Sequence, residues 1–380
     1  VESDLPILGI SGSDWIESFL RETPEMKVEA FDPPTEFKGT LRPYQLRGLH
    51  WLAFLNDIGI GACLADDMGL GKTIQLIALL LHERRDGKSP GPTLLFAPMS
   101  VVGNWEREIE RFAPSLKVLV HHGPLRLTGQ PFIDAAEKHD VVLTTYGLAG
   151  RESRDFSRVA WHRIAMDEAQ KIKNPTAQQT VALRSLSAPH RVALTGTPIE
   201  NHLSELWSIM EALNPGLLGS ATAFRTRFAL PIEKMGDQNR SEQLRRLIRP
   251  FVLRRLKSDP VISCDLPEKM EMRVFCNLTP EQAALYERTV AETLSEIDTA
   301  TGIRRRGLIL ATLTKLKQIC NHPAHFLRGE GTLDDRSGKC ERLIEMLEEV
   351  LDEGDNALVF TQFREMGTLL QRLMHERLKL

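Results

Sequence analysis

The chain has 380 residues, 42% of them hydrophobic and 26% charged, with a formal net charge of −3. That length allows two or more cores, since domains typically run ~100–200 residues, and this composition argues against disorder. No apolar run reaches the ~18 residues of a membrane-spanning helix, so no membrane partner is expected, and the near-neutral balance neither favours nor excludes nucleic acid.

The opening, "VESDLPILGISG", lacks the basic-then-apolar build of a secretory signal and an initiating methionine. The chain is therefore read as an intracellular segment (cytoplasm, nucleoid or nucleus) of something longer. Its acidic lead-in, residues 1–35, reads as the end of an accessory domain and the place for a protein partner. Five cysteines, Cys63, Cys264, Cys276, Cys320 and Cys340, are scattered without a C-x-x-C pair, which indicates neither a zinc module nor a disulfide framework.

From Leu41 to Thr197 short β-rich runs alternate with amphipathic stretches. The runs are "IGACLA", "TLLFAP", "KVLVHH", "DVVLTTY", "HRIAMDEA" and "RVALTGT". Between them, "TIQLIALLLHERR", "VVGNWEREIERFA" and "PTAQQTVALRSL" repeat apolar residues at helical spacing. Nearly continuous apolar strands separated by helices predict an α/β fold with a parallel sheet covered on both faces. Ligands in such sheets lie beyond the carboxyl ends of the strands. Residues 202–257 read as helices with loops, including "SEQLRRLIRPFVLRRLK"; "EKMEMRVFCNL" reads as a strand and 279–323 as a helical block. "CERLIEMLEEVLDEG", "NALVFTQF" and "REMGTLLQRLMHERL" read as helix, strand and helix.

The chemistry concentrates at strand ends. In "ADDMGLGKT" a buried strand turns into a helix through Asp66, Asp67, Met68, Gly69, Leu70 and Gly71. That context makes a phosphate cradle, because backbone N–H groups and the helix dipole converge on an anion. Lys72 is placed to reach the β/γ-phosphates and the Thr73 hydroxyl to bind Mg²⁺. The loop pattern wants glycine at position 66, where this chain has Asp66. About 95 residues after Lys72, "RIAMDEAQ" ends an apolar strand with Asp167 and Glu168. The first is suited to hold the magnesium through water, the second to orient the attacking water. "ALTGTPIEN" offers Thr195 and Thr197 around Gly196. Gln45 is either a helix-start capping residue or a paired hydrogen-bonder for an adenine edge. Trp105 and Trp161 sit in apolar company and are expected in the core.

These motifs, together with "LRPYQLRGLHWL", "LLFAPMSVVGNWEREIERF", "VVLTTY", "DEAQKIKN", "FVLRRLKSD", "LTKLKQICNHP" and "LVFTQF", resemble in order the Swi/Snf-type ATPases. These are chromatin-remodeller-like superfamily-two helicases. The resemblance runs from about Leu41 to Phe363. It implies a RecA-like parallel-sheet lobe over 36–201 with a helical protrusion over 202–256. A return over 257–278, a second protrusion over 279–330 and the start of a second RecA-like lobe over 331–380 follow. The implied activity is ATP-driven translocation along double-stranded DNA, with ATP and Mg²⁺ as cofactors. An aspartate at position 66 is then a family trait, Gln45 the adenine reader, and Gln170 the link between ATP and DNA. Lys72, Asp167, Glu168 and Gln170 form the implied catalytic set. Ser100, Asn104, Thr144 and Thr145, with Lys171, Lys173 and Asn174, are the implied contacts to one strand. Such contacts go to phosphate and carry little sequence specificity. The basic residues Arg245, Arg246 and Arg249, and Arg304, Arg305 and Arg306, are further candidates. The family's arginine-bearing second-lobe motif is not found up to Leu380, so weak turnover is expected of these residues alone.

Overall fold

The computed structural model describes residues 31–85, 90–196, 202–263, 271–299, 301–329 and 331–379. Most of the acidic lead-in and Cys264 lie outside them. Two compact units divide the chain, Val1–Glu268 and Lys269–Leu380.

Helix α1 (Pro43–Asp57) starts with a proline, whose missing N–H costs nothing at the first helical position. The side chain of Gln45 closes that start, accepting the Arg42 N–H at 2.9 Å. Strand β1 (Ala62–Leu64) leads into α2 (Lys72–Arg84), and β2 (Thr93–Ala97) into α3 (Met99–Phe112). Strands β3 (Val118–Val120), β4 (Val141–Thr145), β5 (Arg163–Asp167) and β6 (His190–Leu194) follow, and β7 is Val252–Leu253. They form one sheet in the order β3-β4-β2-β5-β6-β1-β7 with every pairing parallel. Every residue of β1, β2 and β4 is buried. The continuous apolar runs thus match a sheet covered on both faces. In α3 the buried residues Val102, Trp105 and Ile109 recur at helical spacing and face the core.

Three expectations change. The segment 202–257 is not all helix and loop: Val252 and Leu253 add an edge strand beside β1. In the second unit, "NALVFTQF" forms no strand, and Leu358 and Phe360 are 85% and 88% exposed. The described part of "EKMEMRVFCNL" is likewise irregular, with Phe275 93% exposed. An apolar β-rich stretch makes a strand only where a neighbour takes up its backbone hydrogen bonds, and neither segment has one among the described residues. The second unit is otherwise helical, with Ile344, Met366, Leu370 and Leu373 at its core. Cys63 and Cys340 are buried free thiols, and burial pushes the Cys63 thiol up to about 12. No described helix is long and apolar enough to cross a membrane.

A charged cluster is buried at the amino-terminal ends of β5 and β6, away from the strand ends that carry the motifs. The Arg163 guanidinium is fully buried, donates to both carboxylate oxygens of Glu83 in the last turn of α2, and reaches Asn56 Oδ1 at 2.6 Å. Burial pushes the Glu83 carboxyl up, but the Arg163 charge and hydrogen bonds outweigh that and hold it down to about 2. His190, whose ring lies 4.7 Å from that of His162, is pushed down to about 4 by burial and by the nearby Arg163 and His162. Both folded values lie below the ordinary ones, so in both cases acid favours the unfolded chain. The His190 contribution is present above pH 6.5 and is lost between there and about 4. That of Glu83 is lost between pH 4.5 and about 2. Melting temperatures followed by circular dichroism are expected to fall as pH drops from 7 to 4. His190→Gln should flatten that limb, and an unchanged slope in the variant would exclude His190 as its source.

Candidate nucleotide site

Strand register brings the motifs to one level. Leu64 of β1 and Asp167 of β5 both pair with Leu194 of β6. The loop after β1, Thr195 after β6 and the carboxylates ending β5 therefore share the carboxyl edge of the sheet. This is the edge at which parallel sheets bind ligands.

The loop takes the conformation its glycines allow. Gly69 and Gly71 have φ of 85° and 77°, the left-handed region that other residues enter at a cost of about 1 kcal/mol or more. Gly71 has a second reason to lack a side chain: a Cβ there would lie 2.5 Å from Gln45 Nε2. Helix α2 starts at Lys72, so its first N–H groups lack intrahelical partners and point out of the helix at the loop. The Lys72 ammonium donates to the carbonyls of Asp66 at 2.7 Å and Asp67 at 3.3 Å. Burial lowers its pKa, against the opposing pull of Asp66, Glu168, Asp167 and Asp67.

Asp66 does not face a phosphate. It is fully buried and paired with Arg255, whose Nε donates to Oδ1 at 2.9 Å and whose Nη2 donates to Oδ2. The same guanidinium reaches Gln75 Oε1 at 2.8 Å and the carbonyl of Tyr44. The Arg255 backbone N–H also donates to Asp66 Oδ1, at 3.1 Å. Asp67 is fastened similarly: its N–H donates to the Arg255 carbonyl, and its Oδ2 accepts the Lys257 N–H, each at 3.0 Å. The two carboxylates expected beside a ligand are thus anchors that clamp the loop to the segment after β7. Met68 is exposed and Leu70 buried. Gln45 is buried too, donating from Nε2 to the Leu70 carbonyl at 3.1 Å. In this structure its amide fastens α1 to the loop.

At the end of β5, Asp167 Oδ1 accepts the Glu168 N–H at 2.9 Å and Oδ2 accepts the Trp105 indole N–H at 2.7 Å. Burial raises the Asp167 pKa; the Trp105 bond opposes this and the Glu168 charge adds to it. Glu168 holds φ 51°, ψ 56°, a left-handed conformation that costs a non-glycine residue about 1–3 kcal/mol and tends to occur at functional positions. Its Oε2 accepts Gln170 Nε2 at 2.6 Å, and Gln170 Oε1 accepts the Thr195 hydroxyl at 2.8 Å. A polar chain therefore runs from Thr195 through Gln170 to Glu168. Thr197 lies outside the described residues.

The expected strand contacts divide. Ser100, Asn104, Lys171 and Asn174 are exposed. Asn104 accepts a hydrogen bond from Arg107, and Asn174 Oδ1 closes a turn on the Thr176 N–H at 3.1 Å. Lys173 is half-buried, 3.7 Å from Glu205. Thr145 is buried at 8% exposure. Thr144 is fully buried, with its hydroxyl on the His121 carbonyl at 3.2 Å, so it holds the sheet together and presents nothing to solvent. In the exposed helix Gln238–Ile248, Arg245 and Arg246 are both engaged with Glu242.

Among the described residues no three His, Cys, Asp or Glu side chains converge as a metal cage. Mg²⁺ uses few protein ligands and fills its shell with water and phosphate oxygen. The Thr73 hydroxyl and an Asp167 carboxylate that keeps free lone pairs are a donor set of that kind.

The role of Arg255 and that of Trp105 were not legible in the sequence. Arg255 stands 189 residues from Asp66. Trp105 is in the core as expected, but a buried indole needs a partner for its N–H, and that need was the one available signal.

Comparison with known proteins bears on the family and the fold. A family model described as the SNF2-related domain matches residues 44–325. A Bacillus subtilis (strain 168) protein, YwqA, whose name describes an ATP-dependent helicase/translocase, is 49% identical over 93% of this chain and 38% of its own length. The mouse SWI/SNF-related matrix-associated actin-dependent regulator of chromatin subfamily A member 1 is 33% identical over 92% of this chain and 34% of its own. The chain thus spans little more than a third of these relatives. Among solved structures, the Sulfolobus solfataricus SWI2/SNF2 ATPase core in complex with dsDNA is 46% identical with a TM-score of 0.60, covering 92% of this chain and 73% of that one.

Proposed function

We propose, from the premise that this chain belongs to the SNF2-related domain family, that it is the ATP-binding part of a motor that tracks along double-stranded DNA. The observation that carries the reading is the shared sheet edge: the Gly-Lys-Thr loop, Thr195 and the Asp167–Glu168 pair meet there in register. The loop N–H groups and Lys72 bind the phosphates, and Gln45, whose amide fastens α1 to the loop, is the proposed adenine contact. Thr73 and Asp167 hold Mg²⁺, which when bound neutralises phosphate charge. Glu168, its carboxylate aimed by Gln170, orients and polarises the attacking water. Thr195 and Gln170 link this centre to the β6 end.

The proposed contacts to DNA are the exposed polar residues Ser100 and Asn104 at the start of α3, with Lys171 and Asn174 beyond the carboxylates. The S. solfataricus core, solved with dsDNA, supports such a track. Contacts to phosphate give binding that weakens steeply with salt and discriminates little between sequences. Steady-state ATP hydrolysis with and without duplex DNA tests the reading, beside triplex-displacement and fork-unwinding assays on the parent protein. Expected are duplex-stimulated turnover and ATP-dependent triplex displacement without fork unwinding. Turnover indifferent to DNA would overturn it.

A further inference from the structure

Two aromatic side chains, one of them on the helix that carries proposed DNA contacts, end on the residue proposed to hold the metal. Trp105 lies on α3, the helix whose exposed first turns carry Ser100 and Asn104. Its ring is 2% exposed, and its indole N–H donates to Asp167 Oδ2 at 2.7 Å. Tyr146 follows directly on Thr145 at the end of β4, and its hydroxyl donates to the Asp167 carbonyl at 2.6 Å. Two other buried indoles take the ordinary solution of a backbone carbonyl. Trp161 donates to Phe156 at 2.7 Å, and Trp207 to Gly219 at 2.9 Å. Trp105 donates to the carboxylate of the site instead.

We infer that Trp105 and Tyr146 are positioning residues through which DNA binding and metal–nucleotide binding sense each other at Asp167, an inference that rests on the translocase reading. The mechanical argument is short. Ser100 and Trp105 are five residues apart on one helix, roughly 7.5 Å along its axis, so a shift of the α3 start reaches the indole with little loss. A hydrogen bond of this kind weakens steeply beyond about 3.2–3.5 Å, so a displacement of about 1 Å separates a bonded from a released state. In the bonded state Trp105 fixes one carboxylate oxygen, the Glu168 N–H the other, and Tyr146 the backbone behind them. Asp167 then presents its remaining lone pairs in one orientation. In the released state the carboxylate turns freely and meets the metal less well.

Linkage makes this measurable without turnover. If DNA tightens Mg²⁺–nucleotide binding by a factor, the nucleotide must tighten DNA binding by the same factor. The experiment titrates a fluorescent ADP analogue with Mg²⁺, with and without duplex DNA, then DNA with and without Mg·ADP, at one salt concentration. Wild-type protein is expected to show a factor of ~5–150 in both directions. Trp105→Phe is expected to bring both factors to about one while leaving DNA affinity without nucleotide unchanged. Tyr146→Phe, which removes one oxygen, reduces the factor at least about threefold and serves alone should Trp105→Phe not fold. Retention of the wild-type factor by the variant used overturns the inference while the translocase reading stands. A DNA affinity lowered equally with and without nucleotide also overturns it, because it marks a purely structural role. A wild-type chain that shows no linkage at all also overturns the inference, while the translocase reading is decided separately by DNA-stimulated turnover.

Discussion

Arg255→Ala is expected to destabilise the first unit by about 3–5 kcal/mol, the range for removing one partner of a buried ion pair. The Asp66 side chain is fully buried and that of Arg255 only 13% exposed, so water cannot take over the lost bonds. The guanidinium also ties Gln75 and the Tyr44 carbonyl to the loop, so α1, α2 and the loop loosen together. Asp66→Gly gives the sharper test. It restores the glycine that most phosphate loops carry at that position, yet here it strands Arg255 and is also expected to destabilise. The double variant should lose less than the sum of the singles, because each removes the group that the other would leave unpaired. Urea unfolding of the four proteins measures this. A change under about 0.5 kcal/mol in Arg255→Ala would mean that the pair is not holding the loop.

Lys72→Ala is expected to behave in the opposite way. Among the described residues its ammonium donates to loop carbonyls, and burial disfavours its charge more than the nearby carboxylates favour it. Little stability should be lost, whereas turnover should fall by ~10²-fold or more, as when a charge-stabilising donor is removed from a reacting centre. Stability and turnover thus separate the two variants: Arg255→Ala lowers both, Lys72→Ala only the second. Unchanged DNA-stimulated turnover in Lys72→Ala, measured on the parent protein, would remove the loop from the mechanism and the proposed function with it.

Much of the site could be read from the chain because its signals are local. "GACLADDMGLGKTIQLIALLL" and "HRIAMDEAQ" state a strand, a turn and a polar tip within a few residues, and backbone preferences act over that range. Asp66 was harder: its departure from the glycine pattern was visible, but the reason lay with an arginine far along the chain. Thr144 shows the converse error. The family resemblance implied a DNA-strand contact there, and only burial in β4 reveals it as a sheet fastener. "NALVFTQF" carries a short apolar run like a buried strand, but such a run does not supply a neighbour.

By itself, then, the sequence determined the α/β alternation, the phosphate loop, the carboxylates at a strand end and the family. Spacing and residue type set local backbone geometry, and these features need nothing more. Tertiary structure alone decided the pairings: Asp66 with Arg255, and Trp105 with Asp167 across 62 positions. A buried charge or donor must find a partner, and which partner it finds depends on where the folded path brings the chain, not on its neighbours in sequence.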